Sequence, residues 1–492
     1  MNLRLCPLRC SIIFLVVVYP AVAARKLKLP ENSSQQQLVK FELTALGPHG
    51  DPVADLQSSE CQVFEDGKRE TLGLFDYDGI RRRDVNLSGP ALYSNRDSFA
   101  IYPTIVLLDL LSERVLTWGQ AGQELTNSLL HLESGNGVYV YILTNQGGLL
   151  PVHALPPTET EMRSASPDWN KQIRILMDAV TRELGGFRPM EDHVPAWRAD
   201  LTFQSLSRFA LDLATIPGRK NLVWITHGVP RVVPGITEDD MIDLAPQLRQ
   251  LSETFVQSNI SVYPVAQSAA GAGAALGYSW EALQMLAELT GGRLYPSDNI
   301  ETALAEAQAG TQGSYVVGYY PRRQNADGKY HKLRVTCARK GLRLQTKQGY
   351  WAIPNRVSPD SREQAALAGA AGGPFDDPGI GLRASLSVSQ APRLSAHLKI
   401  QMDPLELLVA VSPEEDHSAQ VSFQIIQYSS DNTPRQPVPL TLTQQQIEQL
   451  AKKGIEAEVP LDGSGEKLRI VVYDRRTNRL GSLTVPVPAG PR

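Results

Sequence analysis

The spacing of apolar residues changes twice along this chain, and that change restricts its architecture more than any other sequence feature. From Leu38 to Gly79, VKFELTAL and CQVFEDGKRETLGLFDYDG alternate apolar and polar residues, with the hairpin dipeptide Asp66-Gly67 between two of the runs. After Pro103 the runs TIVLLDL, VYVYILT, NLVWITHG and NISVYPVAQ are continuously apolar, the pattern of strands covered on both faces. Between them, residues such as Trp118, Ala121, Leu125, Leu129 and Leu132 recur at helical spacing. Beyond Gly313 the period returns to two in SYVVGYYP, YHKLRVTCARK and LRLQTKQGYWAI. No single repeat accommodates both periods, so the chain is modular.

Strands separated by helices predict an α/β fold whose centre is a doubly wound, mostly parallel sheet of Rossmann type with right-handed crossovers, over residues 100–311. Around it the expectations are an N-terminal β module at 36–77 and a polar connector at 78–99. An antiparallel β module at 312–355 is expected to pack with 36–77. An Ala, Gly and Pro-rich linker at 356–380 then leads to seven short alternating strands at 381–490, the size of a β-sandwich. Open α/β sheets bind ligands outside the carboxyl ends of their strands, where Asp109 and His227 fall.

Arg4 and Arg9 precede an apolar run from Ser11 to Val18 and the small residues Ala21-Val22-Ala23, which predicts a signal peptide at 1–23 and a flexible leader at 24–35. The run is too short to span a bilayer and no other stretch of 18 apolar residues occurs, so no transmembrane segment is expected in the mature chain, which is periplasmic or secreted. Cleavage leaves Cys61 and Cys337. Leu333, Val335 and Cys337 share one face of a period-two segment, which suggests that the two cysteine segments pair in one β module and are bonded; the alternative is two buried thiols. With 48 Lys and Arg against 52 Asp and Glu, the net charge of -4 supplies no basic field for nucleic acid.

Gly-x-x-x-x-Gly-Lys, His-Glu-x-x-His and Gly-x-Ser-x-Gly are all missing, which removes the usual support for phosphoryl transfer, zinc proteolysis and α/β-hydrolase chemistry. Gly271, Gly273 and Gly277 follow a late strand and read as a loop near the ligand edge. An Asp109-His227 pair beside Ser112 or Thr202 would be the raw material of a hydrolase. Tyr315, Tyr319, Tyr320, Tyr350 and Trp351 read as packing residues of the later strands, with a carbohydrate-stacking face as the alternative.

Four ordered blocks carry a resemblance: VFEDGKRE, IVLLDL, DLTFQSLSRFALDLATIPGRKNLVWITHG and GSYVVGYYPRRQNADGKYHKLRVTCARKGLRLQTKQGYW. Their order resembles bacterial secreted proteins with a von Willebrand factor A-related domain, the VWFA-related Acidobacterial type, over about residues 38–355. The resemblance implies a domain that binds protein ligands through a divalent cation held by Asp-x-Ser-x-Ser, a loop threonine and a later aspartate. The corresponding residues here are Asp109-Leu110-Leu111-Ser112-Glu113, Thr202, and His227 in place of the last carboxylate. That is a degenerate metal motif in which Asp109, Glu113 and Thr202 are the implied ligands, and no cofactor is expected to be required. Asp109, Ser112, Glu113, Thr202 and His227 then form the face offered to an extracytoplasmic protein partner. The expected function is non-enzymatic adhesion or scaffolding; the alternatives are a cell-envelope hydrolase centred on His227 and a structural spacer with no cleft ligand.

Overall fold

The computed structural model describes residues 38–487 apart from 80–91, 96–102, 132–136, 156–170, 179–194, 235–240, 267–272, 323–326, 353–358, 403–420, 441–452 and shorter stretches. The expected signal peptide and leader lie outside the described residues. The chain forms two compact units, one from Lys28–Arg81 with Ile101–Asn355, the other including Arg82–Ala100 and Arg356–Arg492.

The larger unit contains two main sheets. Seven antiparallel strands form the first: β1 (Val39–Leu46), β2 (Cys61–Glu65), β3 (Lys68–Gly79), β13 (Gly313–Tyr320), β14 (Tyr330–Cys337), β15 (Arg343–Gln345) and β16 (Gly349–Trp351). Their order is β15-β1-β13-β3-β2-β14-β16, so segments about 270 residues apart in sequence lie side by side. The second sheet has β5 (Thr104–Asp109), β6 (Val138–Leu143), β7 (Leu149–His153), β8 (Lys220–Thr226), β11 (Ile260–Ala266) and β12 (Tyr295–Pro296), in the order β12-β11-β8-β5-β6-β7. Its pairings are parallel except between β6 and β7. A short hairpin of β9 (Val232–Pro234) and β10 (Met241–Asp243) follows β8. The helices are α1 (Val115–Leu130), α2 (Pro195–Leu213), α3 (Ala245–Gln257), α4 (Gly273–Thr290) and α5 (Ile300–Thr311).

β5, β6 and β8 are buried at every position because their apolar runs do not alternate. Val106, Leu108, Val140, Ile142, Val223 and Ile225 pack with Leu125 and Leu129 of α1 and Ala303, Leu304 and Ala307 of α5. Each fully buried aliphatic side chain contributes about 1.5–3 kcal/mol. A polar seam couples the two sheets. The buried Arg219 guanidinium donates to Thr44 of β1 (2.8 Å), to Asn221 of β8 (3.0 Å) and to the Tyr263 hydroxyl of β11 (3.2 Å), and lies 3.3 Å from Glu42.

The expected fold class, a doubly wound, mostly parallel α/β protein of Rossmann type, is corrected by these strands. Among the described residues strand outweighs helix, 47% against 29%, and parallel pairing is confined to one of the five sheets they form. The reason is long-range. The stretches read as modules flanking an α/β centre complete a seven-stranded antiparallel sheet that is larger than the parallel one and belongs to the same unit.

In the smaller unit, α6 (Pro359–Gly372) precedes β17 (Leu382–Ser389), β18 (Ser395–Met402), β19 (Val421–Ser429), β20 (Val438–Leu440), β21 (Ile455–Pro460), β22 (Gly465–Asp474) and β23 (Arg479–Pro486). Two four-stranded antiparallel sheets, β21-β18-β17-β4, in which β4 is Leu92–Ser94, and β20-β19-β22-β23, are packed as a sandwich. Ala384, Leu398 and Ile400 of one sheet share a core with Phe423, Ile425, Ile470 and Leu483 of the other. β4 (Leu92–Ser94) pairs with Arg383, Ala384 and Ser385, so the stretch read as a connector supplies an edge strand. Beside it the buried Asn95 amide donates to the carbonyls of Asp377 and Ile380 and accepts from Leu382 N–H, each at 2.8 Å. The expected linker contains α6, whose Ala370 packs on Ile426, Tyr428 and Val471.

Candidate functional sites at Asp109 and His331

Asp109 ends β5 with its side chain fully buried. One carboxylate oxygen accepts the peptide N–H groups of Leu111 (2.9 Å) and Ser112 (3.1 Å), closing the turn that leaves the strand. The other accepts Thr226 Oγ1–H (2.7 Å) and Trp224 Nε1–H (3.2 Å) from β8. Burial raises the Asp109 carboxyl above its ordinary range, and hydrogen bonds from Thr226, Ser112 and Leu111 act against that shift. The Ser112 hydroxyl lies 2.9 Å from Thr226 Oγ1 and accepts the peptide N–H of His227 at 3.2 Å. The tips of β5 and β8 are thereby locked together.

This arrangement departs from the ligand set expected for a cation. Four donors occupy the Asp109 carboxylate, and Leu111, in the middle of the motif, is a buried apolar residue. Thr202 does not come from a loop. It is a buried residue inside α2, and its hydroxyl donates to the Arg198 carbonyl one turn earlier at 2.8 Å. Glu113 lies outside the described residues. Asp109, Ser112 and His227 are brought together, His227 through its backbone N–H.

Exposed apolar side chains lie on three neighbouring elements, α2, the β9–β10 hairpin and α4. α2 passes this edge near its middle, where Ser205 donates to the Gly147 carbonyl in the turn after β6 (2.9 Å), and the exposed Trp197 lies about two turns closer to the helix N-terminus. The β9–β10 hairpin carries Met241 and Ile242. Arg231, just before it, is 3.8 Å from Asp243 and 3.3 Å from Glu281 of α4, next to Trp280. Among the described residues six large apolar side chains are exposed, and Trp197, Met241, Ile242 and Trp280 are four of them.

A second constellation lies on the seven-stranded sheet and escaped sequence reasoning. The β2–β3 turn is built by Asp66 and Gly67, both at positive φ, and β14 pairs with β2 in the register Leu333↔Glu65. Asp66 N–H donates to the Lys332 carbonyl and Lys332 N–H to Asp66 Oδ1, both at 2.9 Å. His331, 8% exposed, thereby lies with Nδ1 2.7 Å from Asp66 Oδ2 and 3.5 Å from Glu65 Oε1. Its Nε2 is 3.0 Å from Asp327 Oδ1. Behind it the hydroxyls of Tyr319 and Tyr350 both donate to Glu65 Oε2. Burial, and then the bonds to Glu65 and Tyr350, pushes the Tyr319 hydroxyl far above the usual phenol range, so it remains a donor. One signal was available: His331 has the same parity as Leu333, Val335 and Cys337, and an imidazole on that face of a strand needs polar partners.

At the far end of the same strand pair Cys61 and Cys337 lie directly opposite, Cα atoms 4.1 Å apart, and form a disulfide. Tyr315 and Tyr319 are buried in the core of this sheet, and Tyr330 packs against Trp351.

No family model matches this chain, and no curated protein matches it. Among solved structures a mutant PilB minor pilin from Streptococcus sanguinis is similar over 55% of this chain and 88% of that one, at 11% identity and a TM-score of 0.28. So loose a superposition carries no argument about what this chain does. Among the described residues no helix is long and apolar enough to cross a membrane.

Proposed function

We propose that this chain is an exported, non-enzymatic binding protein for adhesion or scaffolding, and that it receives a protein partner on the carboxyl edge of the six-stranded sheet. One observation carries the reading: among the described residues four of the six exposed large apolar side chains, Trp197, Met241, Ile242 and Trp280, lie on elements that lead into or out of the strands of that sheet, α2 before β8, the hairpin after β8 and α4 after β11. Tryptophan and methionine are enriched where protein interfaces bury their centres. Scattered exposed hydrophobics are ordinary, whereas a group of them at one edge marks an interaction surface.

The hydrogen-bonded lock at Asp109 fits this role as a support. It fixes the tips of β5 and β8, from which the hairpin with Met241 and Ile242 departs. In this reading the partner docks on the apolar rim, and the carboxylate holds the rim in shape without bridging to the partner through a cation. Export rests on the N-terminal charged, apolar and small-residue pattern.

The test compares two baits in envelope extract, the intact chain and an Ile242→Asp, Trp280→Ser double variant, after matched thermal unfolding shows both are folded. The expected result is a partner recovered at least tenfold less by the variant. Equal recovery of every protein by both baits overturns the proposal.

A further inference from the structure

We infer that Glu65, Asp66 and His331 form a binding site for one divalent transition-metal ion, with Zn²⁺ as its best match. Nδ1 of His331 and one oxygen from each carboxylate all lie within 4.8 Å of one another. The Nδ1 to oxygen separations are 2.7 Å to Asp66 and 3.5 Å to Glu65. Ligands about 2.1 Å from a shared zinc stand roughly 3.0 Å apart at right angles and roughly 3.4 Å apart in a tetrahedron. The two separations bracket those values, and the two carboxylate oxygens stand within 4.8 Å of each other on the same side of the imidazole nitrogen.

The surroundings are those that orient metal ligands. Glu65 Oε2 accepts from Tyr319 and Tyr350, which turns Oε1 toward the imidazole. Asp66 Oδ1 accepts the Lys332 peptide N–H, which leaves Oδ2 as the oxygen facing Nδ1. Asp327 holds the opposite ring nitrogen at 3.0 Å, the contact that sets the tautomer of a ligating histidine. An imidazole nitrogen among carboxylate oxygens favours a borderline ion over Mg²⁺ or Ca²⁺. His331 and Glu65 are buried while the Asp66 side chain is about half exposed, so the site has a solvent side from which an ion can enter.

The same geometry also suits a proton-linked ion pair, and the experiment separates the two. The full chain, stripped with chelator, is titrated calorimetrically with Zn²⁺ and in parallel with Mg²⁺. The expected result is saturable binding of one Zn²⁺ per chain, Mg²⁺ binding at least tenfold weaker, and Zn²⁺ affinity reduced at least tenfold by Asp66→Asn and by His331→Gln. An Asp200→Asn variant, altered at an exposed helix position, keeps wild-type affinity. Because His331→Gln could fold poorly, X-ray absorption of the zinc-loaded wild type gives a second readout, expected to show one imidazole in an oxygen-rich shell. Absence of saturable Zn²⁺ binding, affinity unmoved by both site substitutions, or a shell without imidazole would each overturn the assignment and leave an ion pair only.

Discussion

Asp109 and Asp66 both stand where a strand ends, yet they are used in opposite ways. Asp109 is fully buried, and its own chain supplies four donors, two from the following turn and two from the neighbouring strand. Asp66 is half exposed and turns one oxygen toward an imidazole that also faces Glu65. A carboxylate saturated from within is a fastener, whereas one that converges with other donors on a common point has the geometry to take a ligand. Position at a strand end does not distinguish them, because both are followed by a turn that their side chains or backbones help to close.

The largest effect separating the two should come from Asp109→Ala. Leaving Trp224 Nε1, Thr226 and two peptide N–H groups without their shared acceptor should cost the larger unit about 3–5 kcal/mol, read from denaturant midpoints. An undiminished midpoint would reduce the lock to an ornament. Asp109→Asn should cost less, about 1–3 kcal/mol, and should also change the pH profile. Burial raises the folded carboxyl above its unfolded value of about 4, so its stabilising contribution is complete below that pH and is lost as pH rises through the folded value. The wild type should therefore lose stability over that interval relative to Asp109→Asn, whose amide does not titrate.

On the Asp66 side, the disulfide pins the same strand pair at its other end. Replacing Cys61 and Cys337 by alanine removes a cross-link spanning 276 residues and should cost about 2–5 kcal/mol in the same assay. A further effect concerns a half-buried cation in the turn between β15 and β16. Burial lowers Lys347 to about 8, partly opposed by Glu42, below the unfolded ammonium value of about 10.4. The folded chain loses that proton first, so stability should climb between about pH 8 and about pH 10, and Lys347→Met should flatten the climb. A slope unchanged by the substitution would assign it to another group.

Local elements were legible where one physical constraint acted alone. The apolar runs of β5, β6, β8 and β11 can be read as strands because burial on both faces removes alternation, and the cysteine segments because one covered face imposes it. The overall class was not legible. The expected packing of 312–355 with 36–77 is present, but the strand order that merges them into one seven-stranded sheet is decided by contacts across more than 260 residues, which no local period encodes. Motif order sets Thr202 in the place of a loop threonine, whereas Phe203, Leu206 and Ala210 around it follow helical spacing, and the structure has it inside α2. Two donors of the His331 cluster escaped because Glu65 and Asp66 read simply as the end of a strand and the start of a hairpin.

The three residues of β4 have a practical corollary for anyone who trims this protein. Expressing 356–492 by itself would omit the short piece that covers one side of β17, along with the Asn95 amide that holds the 377–382 bend. The backbone of Arg383, Ala384 and Ser385 would then offer unmatched donors and acceptors, an invitation to stick to a neighbour. A fragment that reattaches 90–96 through a designed linker should stay dispersed where the simple truncation clumps.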